Sequence, residues 1–456
     1  MHRKDPSRNR PLRLSTLATV AAFLAVAAGA SPRAARADEH QPPGHVVSHW
    51  LEHRAEPLAT TEPSAPLADL RPLRRMVGDA VVVGLGASTH GAHQQAALKQ
   101  RVVRFLVKKL GFRSLALEED WANALRLNRY LLTGDGNLDA LMAQLSTAWR
   151  TREMRATLVW LRAYNAEHPH DKVRFVGVDI FDTRAFVYDA VARYVERVAP
   201  RRLPRLRQHF AVIRPTRENH VGWFIKEVEN KMRYVEHARA ARRLVKNLPH
   251  APVDRTYELA LQHARQIVWF YEYFTYQESG FRDEKMAQSL RWWHRRTGDK
   301  IAYWAASVHT AEADRLVVST PPRFVDVAWK ATGAYLREFY GSRYVSIGFT
   351  FDHGVVNSNW EYPPFTPEQF PIPRPPPGFA ERPLGEVDMD QYLLELRDTG
   401  PPPVRDWFYA RTKTRVIGSH YEPEKAAEYY MTGGSLGEWF DVIIHTQRVT
   451  PSHPLP

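Results

Sequence analysis

The sequence predicts an α/β fold: a mainly parallel sheet flanked by helices, with a large helical insertion. Three observations carry that prediction. From residue 79 onward, short apolar runs alternate with amphipathic helical stretches at the spacing of β-α-β units. Between about 183 and 298 the strand signal stops and helical periodicity takes over. Strand signals then return, in apolar runs that reach almost to the end of the chain.

The elements follow in order. Residues 1–37 read as a signal peptide. Arg3, Lys4, Arg8, Arg10 and Arg13 make a basic start, Leu14 to Ala30 is apolar and small, and Ala35-Arg36-Ala37 gives the A-x-A cleavage pattern. An exported protein, periplasmic or extracellular, is therefore expected. Residues 38–75 form a polar, proline-bearing lead-in with one short helix, and the α/β domain occupies 76–456. "DAVVVGLG" is a first buried strand. In the helix that follows, Leu98, Val102, Phe105, Leu106 and Leu110 share a face and Gly111 ends it. "FRSLALEED" and "KVRFVGVDIFD" are two further strands, with helices between them. "DKIAYWAASVHTAEA", "YVSIGFTFDHG" and "EWFDVIIHTQ" are the strands after the insertion. Residues 357–404 are rich in proline and are expected to drape over the surface as a long loop.

Composition narrows the function. The 456 residues carry 63 Lys and Arg against 50 Asp and Glu, a net charge of +13. Seven of those cations and one of those acids lie in residues 1–37, so the remaining excess is +7. It is dispersed over runs such as "RRLPRLRQHF" and "RWWHRR", which solvated helix faces explain, and no nucleic-acid motif accompanies it. After residue 37 no run reaches the ~18 apolar residues of a membrane span, so no stable membrane insertion is expected once the leader is cleaved. There is no cysteine, which excludes Cys nucleophiles and Cys metal sites. The P-loop, H-E-x-x-H and G-x-G-x-x-G are all absent.

Ligands of open parallel sheets bind beyond the carboxyl ends of the strands. The first strand delivers Ser88, Thr89 and His90 there. The second delivers Glu118, Glu119 and Asp120, and the third delivers Asp179 and Asp182. Later strands deliver Ser307 and His309, then Asp352 and His353. Each has a structural alternative: His90 as a turn residue, Glu118 as a helix cap, Asp179 as a hydrogen-bond acceptor. Together, two histidines and a glutamate at one sheet edge suit general-base work on a water, or a metal site.

Ordered motifs run along the chain: "GASTHG" at 86–91, "LALE" at 115–118, "WRTRE" at 149–153, "WLRAYN" at 160–165, "VRFVGVD" at 173–179, "RDEKMA" at 282–287 and "WAASVH" at 304–309. "VIGSHYEPE" and "FDVIIHTQRVTPSHPL" follow near the end. In this series the chain resembles the erythromycin esterase family over about residues 70–456. The resemblance implies a hydrolase that needs no metal or other cofactor, with His90 activating water and Glu118 and His309 as its catalytic partners. It makes Lys99, Trp149 and Arg282 candidate substrate contacts, and His353 joins them from its place at a strand's carboxyl end. Arg282 has a helix-start salt bridge as its alternative, and Trp149 a place in the core. The implied substrate is a small ester or lactone, with anionic and glycosylated ones included. The chain departs from the family pattern at Ala87, where a Glu is usual, and at Ala306, where a His is usual. Lys99 replaces an Arg, and Ser307 an Asn. Three readings stay open: a divergent hydrolase, a degenerate relative that binds an envelope ligand, and a metal-dependent hydrolase.

Overall fold

The structure is a computed structural model that describes residues 44–360, 366–397 and 400–455. The signal-peptide reading lies outside the described residues. The strands are β1 (Glu56–Pro57), β2 (Val82–Ala87), β3 (Phe112–Asp120), β4 (Arg174–Asp179), β5 (Lys300–Ala306), β6 (Leu316–Thr320) and β7 (Arg323–Trp329). They continue with β8 (Tyr344–Ser358), β9 (Glu368–Ile372), β10 (Gln391–Glu395), β11 (Thr414–Arg415), β12 (Tyr430–Thr432) and β13 (Val442–Val449). Six of them form a parallel sheet in the order β13-β8-β2-β5-β3-β4. Every residue of β2 is buried, as a central strand covered on both faces requires. β10 and β1 extend the β13 edge in antiparallel fashion, β9 pairs with the far half of β8, and β11, β12, β6 and β7 make a small separate antiparallel sheet.

Helices cover the sheet. His93–Leu110 buries Leu98, Val102, Phe105 and Leu106 and leaves Lys108 and Lys109 in water. Gly111 ends it at φ 74°, the left-handed position that glycine takes without strain. Residues 185–297 are largely helical and build their own core around the Arg255–Tyr276 helix, where Ala260, Ala264, Ile267, Tyr271 and Phe274 recur at helical spacing.

The proline-rich segment is not a bare loop. It contributes β9 and β10, with a short helix, Glu381–Leu384, between them. Pro371 is tolerated because β9 pairs only with β8 and so is an edge strand, where proline is found in sheets. β10 is set by Tyr392, Leu393 and Leu394, all buried against β13.

The lead-in is pinned by a buried cation. Arg101 is fully buried and grips both carboxylate oxygens of Asp69 at 2.8 Å, and the Pro66 carbonyl at 2.7 Å. Breaking a buried pair typically costs 3–5 kcal/mol, because the abandoned charge stays desolvated. Arg101→Ala should therefore lower unfolding stability by about 3 kcal/mol in urea. Arg101→Lys should recover little, since lysine lacks the planar fork.

Candidate active site

The carboxyl end of β2 turns sharply into the 93–110 helix. Gln95, from the first turn of that helix, donates to Ser88 Oγ at 2.8 Å and to the Phe349 carbonyl at 3.1 Å. Thr89 Oγ1 accepts the Gly91 N–H at 3.2 Å. A Cβ on Gly91 would sit 2.7 Å from the Asn357 carbonyl carbon, so only glycine fits there. This tight turn fixes His90, whose ring lies 4.4 Å from that of Trp149.

β3 loses its register with β4 after Leu117, a local irregularity that re-aims the chain at the sheet edge. Glu118 follows it and is the hub of the site. Its Oε1 accepts from Arg282 at 2.9 Å and lies 3.2 Å from His309 Nε2. Its Oε2 accepts the Ala306 N–H at 2.8 Å and lies 3.6 Å from His90 Nε2. His309 comes from the four-residue helix Ser307–Thr310 after β5. Its Nδ1 is 2.8 Å from Asp283 Oδ1, which also accepts the Thr332 N–H and hydroxyl, each at 2.9 Å. Arg282 and Asp283 open the Phe281–Thr297 helix. The Arg282 Nε donates to Asp179 at 3.0 Å, and its guanidinium lies 4.1 Å from the Phe181 ring centre.

These contacts divide the charges. Burial holds the His90 imidazole down to about 4, against the raising effect of Glu118 and with Lys99 and His309 adding to the fall. Burial also opposes charge on His309, but the Asp283 and Glu118 carboxylates outweigh it and lift that group to about 9. Burial would raise Glu118, yet His309, Arg282 and His90 hold it well below the usual carboxylate range. At neutral pH the cluster thus contains a neutral imidazole, a carboxylate, an imidazolium and a guanidinium. His309 Nε2 also lies 2.8 Å from Arg282 Nη1. It cannot both accept there and donate to Glu118. With a carboxylate on each side of the ring, the donating imidazolium is the favoured form.

Lys99 points inward. It is buried, donates to the Ala305 carbonyl at 2.8 Å and sits 5.3 Å from the Trp304 ring centre, and burial holds its amine well below the usual lysine range. Trp149 donates its indole N–H to the Glu118 carbonyl at 2.7 Å. His90, Lys99, Trp149, Trp304 and Ala87 line a small pocket of about 20 Å³. That is room for one water beside His90.

Six of the seven residues singled out in the sequence therefore meet here: His90, Glu118, His309, Lys99, Trp149 and Arg282. His353 does not. β8 runs on past Phe349, the partner of Ala87, so His353 pairs in register with Arg448 about 13 Å further along at ~3.3 Å per residue. Its Nδ1 meets Asp352 at 2.9 Å instead. Asp352 turns to His353 and Arg374. Glu119 and Asp120 serve the local backbone, accepting the N–H groups of Ser146 and Asp182. Asp283 was not singled out in the sequence. Its signal was its place beside Arg282 in "RDEKMA", ahead of a helix.

Acid, imidazole and guanidinium groups thus gather at the carboxyl edge of the parallel sheet of an α/β protein. The chain belongs to the erythromycin esterase family, whose sequence profile matches residues 107–449. That span includes Glu118, Trp149, Arg282 and His309 and leaves out the "GASTHG" turn. The chain is 30% identical to erythromycin esterase type II of Escherichia coli over 131 residues, 29% of this chain and 31% of that protein, so the match spans about a third of that relative's length. A solved Bacillus cereus protein shares 29% identity over 91% of this chain and 100% of its own, with a TM-score of 0.81. A succinoglycan biosynthesis protein of known structure shares 27% over 90% of this chain and 99% of its own, at TM-score 0.76. Membership of the family points to a hydrolase acting on a small molecule.

Proposed function

We propose that the protein is an exported hydrolase of ester or lactone bonds that uses a water activated by His90. The observation that supports this most is the Glu118 hub, with neutral His90 on one carboxylate oxygen and charged His309 and Arg282 on the other. His90 takes a proton from the pocket water as its oxygen bonds to the acyl carbon. The His309 imidazolium and the Arg282 guanidinium offset the charge that develops on the carbonyl oxygen. His90 then returns the proton to the departing alkoxide as the acyl C–O bond breaks. The packed Trp149 ring and the nearby Glu118 carboxylate, 3.6 Å from Nε2, hold the imidazole in place. A divalent cation fits this arrangement poorly, because Arg282 already supplies the positive charge between Glu118 and Asp179. Ala87 and Ala306 carry no proton-transfer group, which sets this site apart from the family pattern and supports a substrate other than a macrolide.

Hydrolysis of a panel of simple esters, lactones and one macrolide by the chain from residue 38 tests the reading. Turnover of simple esters or lactones without an acyl-enzyme burst is expected. A folded protein that turns over nothing on the panel would favour the second reading, a binding protein disabled by the alanines at 87 and 306.

The same charges predict a pH profile. His90 works when neutral, so activity should fall as pH drops through about 4. His309 works when protonated, so activity should fall as pH rises through about 9. kcat/KM should be flat between these limits.

A further inference from the structure

A cavity of about 780 Å³ lies among the helices Lys231–Lys246, Arg255–Tyr276, Phe281–Thr297 and Thr332–Tyr340. On the Phe281–Thr297 helix its lining residues Glu284, Gln288, Arg291 and Arg295 form one stripe at helical spacing. Arg282, two residues before that stripe, is about 200° away around the same helix at 100° per residue. No cavity-lining residue belongs to the Glu118 cluster.

The lining is dominated by six arginines: Arg239, Arg242, Arg243, Arg265, Arg291 and Arg295. Its three glutamates are already engaged. Glu272 binds Arg239 at 2.7 Å, Glu284 binds Lys285 at 2.7 Å, and Glu338 binds Lys330. Among the described residues, no carboxylate forms an ion pair with Arg242, Arg243, Arg265, Arg291 or Arg295. Burial, with Arg242 and Arg295 nearby, pushes the Arg265 guanidinium below its usual value.

Two buried donors at the floor are also unmet. Gln262 is fully buried and accepts from Arg265 through Oε1 at 3.4 Å, while its Nε2 has no partner. The Nε of Arg242 is likewise buried and unpartnered. Guanidinium forks match carboxylate and phosphate oxygens in pairs.

We propose that this cavity binds a small soluble polyanion bearing two or more phosphate or carboxylate groups, with Arg242, Arg265 and Gln262 as its floor and Arg291 and Arg295 at its rim. The site is separate from the Glu118 cluster, and the proposal does not rest on the hydrolase reading. The ligand would neutralise a crowded set of like charges.

Calorimetric titration with tripolyphosphate, and separately with citrate, at fixed ionic strength tests this. The proteins compared are the wild type, the floor pair Arg242→Gln/Arg265→Gln, the rim pair Arg291→Gln/Arg295→Gln, Gln262→Leu and His90→Ala. At least one probe should bind the wild type 1:1, and the better probe identifies the phosphate or carboxylate class. Affinity should fall at least tenfold in each arginine pair and several-fold in Gln262→Leu, and stay unchanged in His90→Ala. The rim pair is solvent-exposed, so it reads binding even if the floor pair fails to fold. Absence of binding by the wild type to both probes, or binding that survives in the rim pair, would overturn the proposal.

Discussion

His90→Ala is expected to lower kcat by 10²- to 10⁴-fold, the usual contribution of a positioned general base, while leaving the fold intact. His90 lies against Trp149 and its Nε2 is 3.6 Å from Glu118, beyond direct hydrogen-bond length, so its loss removes little binding energy from the native state. Glu118 keeps its bonds to Arg282 and the Ala306 N–H. The substitution also removes an imidazole that is held neutral by burial. The unfolded chain takes up that proton near pH 6.5 and the native one only near 4, so wild-type His90 costs stability as pH falls across that range. The variant should therefore be no less stable than the wild type at pH 5. Thermal melts at pH 5 and 7, beside initial rates, check both halves. A variant with wild-type rates would remove His90 from the mechanism.

The largest effect on stability should come from Arg282→Met. Arg282 neutralises Asp179 and Glu118 together, and all three side chains are nearly buried. Removing it leaves two desolvated carboxylates facing each other, with His309 as the nearest remaining cation. The expected cost is about 4 kcal/mol, in the range for breaking a buried pair. Repulsion should also drive the carboxylates to take up protons, so the deficit should shrink as pH falls toward 5. Urea unfolding at pH 5 and 8 reads this directly. Equal stability of variant and wild type at pH 8 would mean that the guanidinium is not the charge partner described here.

Much of this was legible in the chain because parallel strands buried on both faces read as unbroken β-branched runs. β2 and β4 are legible through their valines and β5 as a short apolar run, and with them the edge at which His90, Asp179 and His309 emerge. What the sequence could not give depends on tertiary reach. His353 stands apart because β8 continues to Ser358, held there by pairing with β9, and nothing local marks where a strand leaves the sheet edge. β9 and β10 were hidden by the prolines around them, though Tyr392, Leu393 and Leu394 bury against β13 as any strand would. The inward turn of Lys99 could not be read from helical periodicity, since a buried lysine interrupts the apolar face instead of extending it. Asp283 gained its role only when the Phe281–Thr297 helix was set against the turn that carries His309.

Catalysis as proposed turns on a water activated by His90 without a metal. Its most direct test is hydrolysis of one responsive ester by wild type and His90→Ala, each assayed before and after exhaustive chelation. The predicted result is wild-type turnover that chelation does not change and that is lost from His90→Ala under both conditions. Turnover abolished by chelation and restored by a divalent cation, or turnover that persists in His90→Ala, would contradict it.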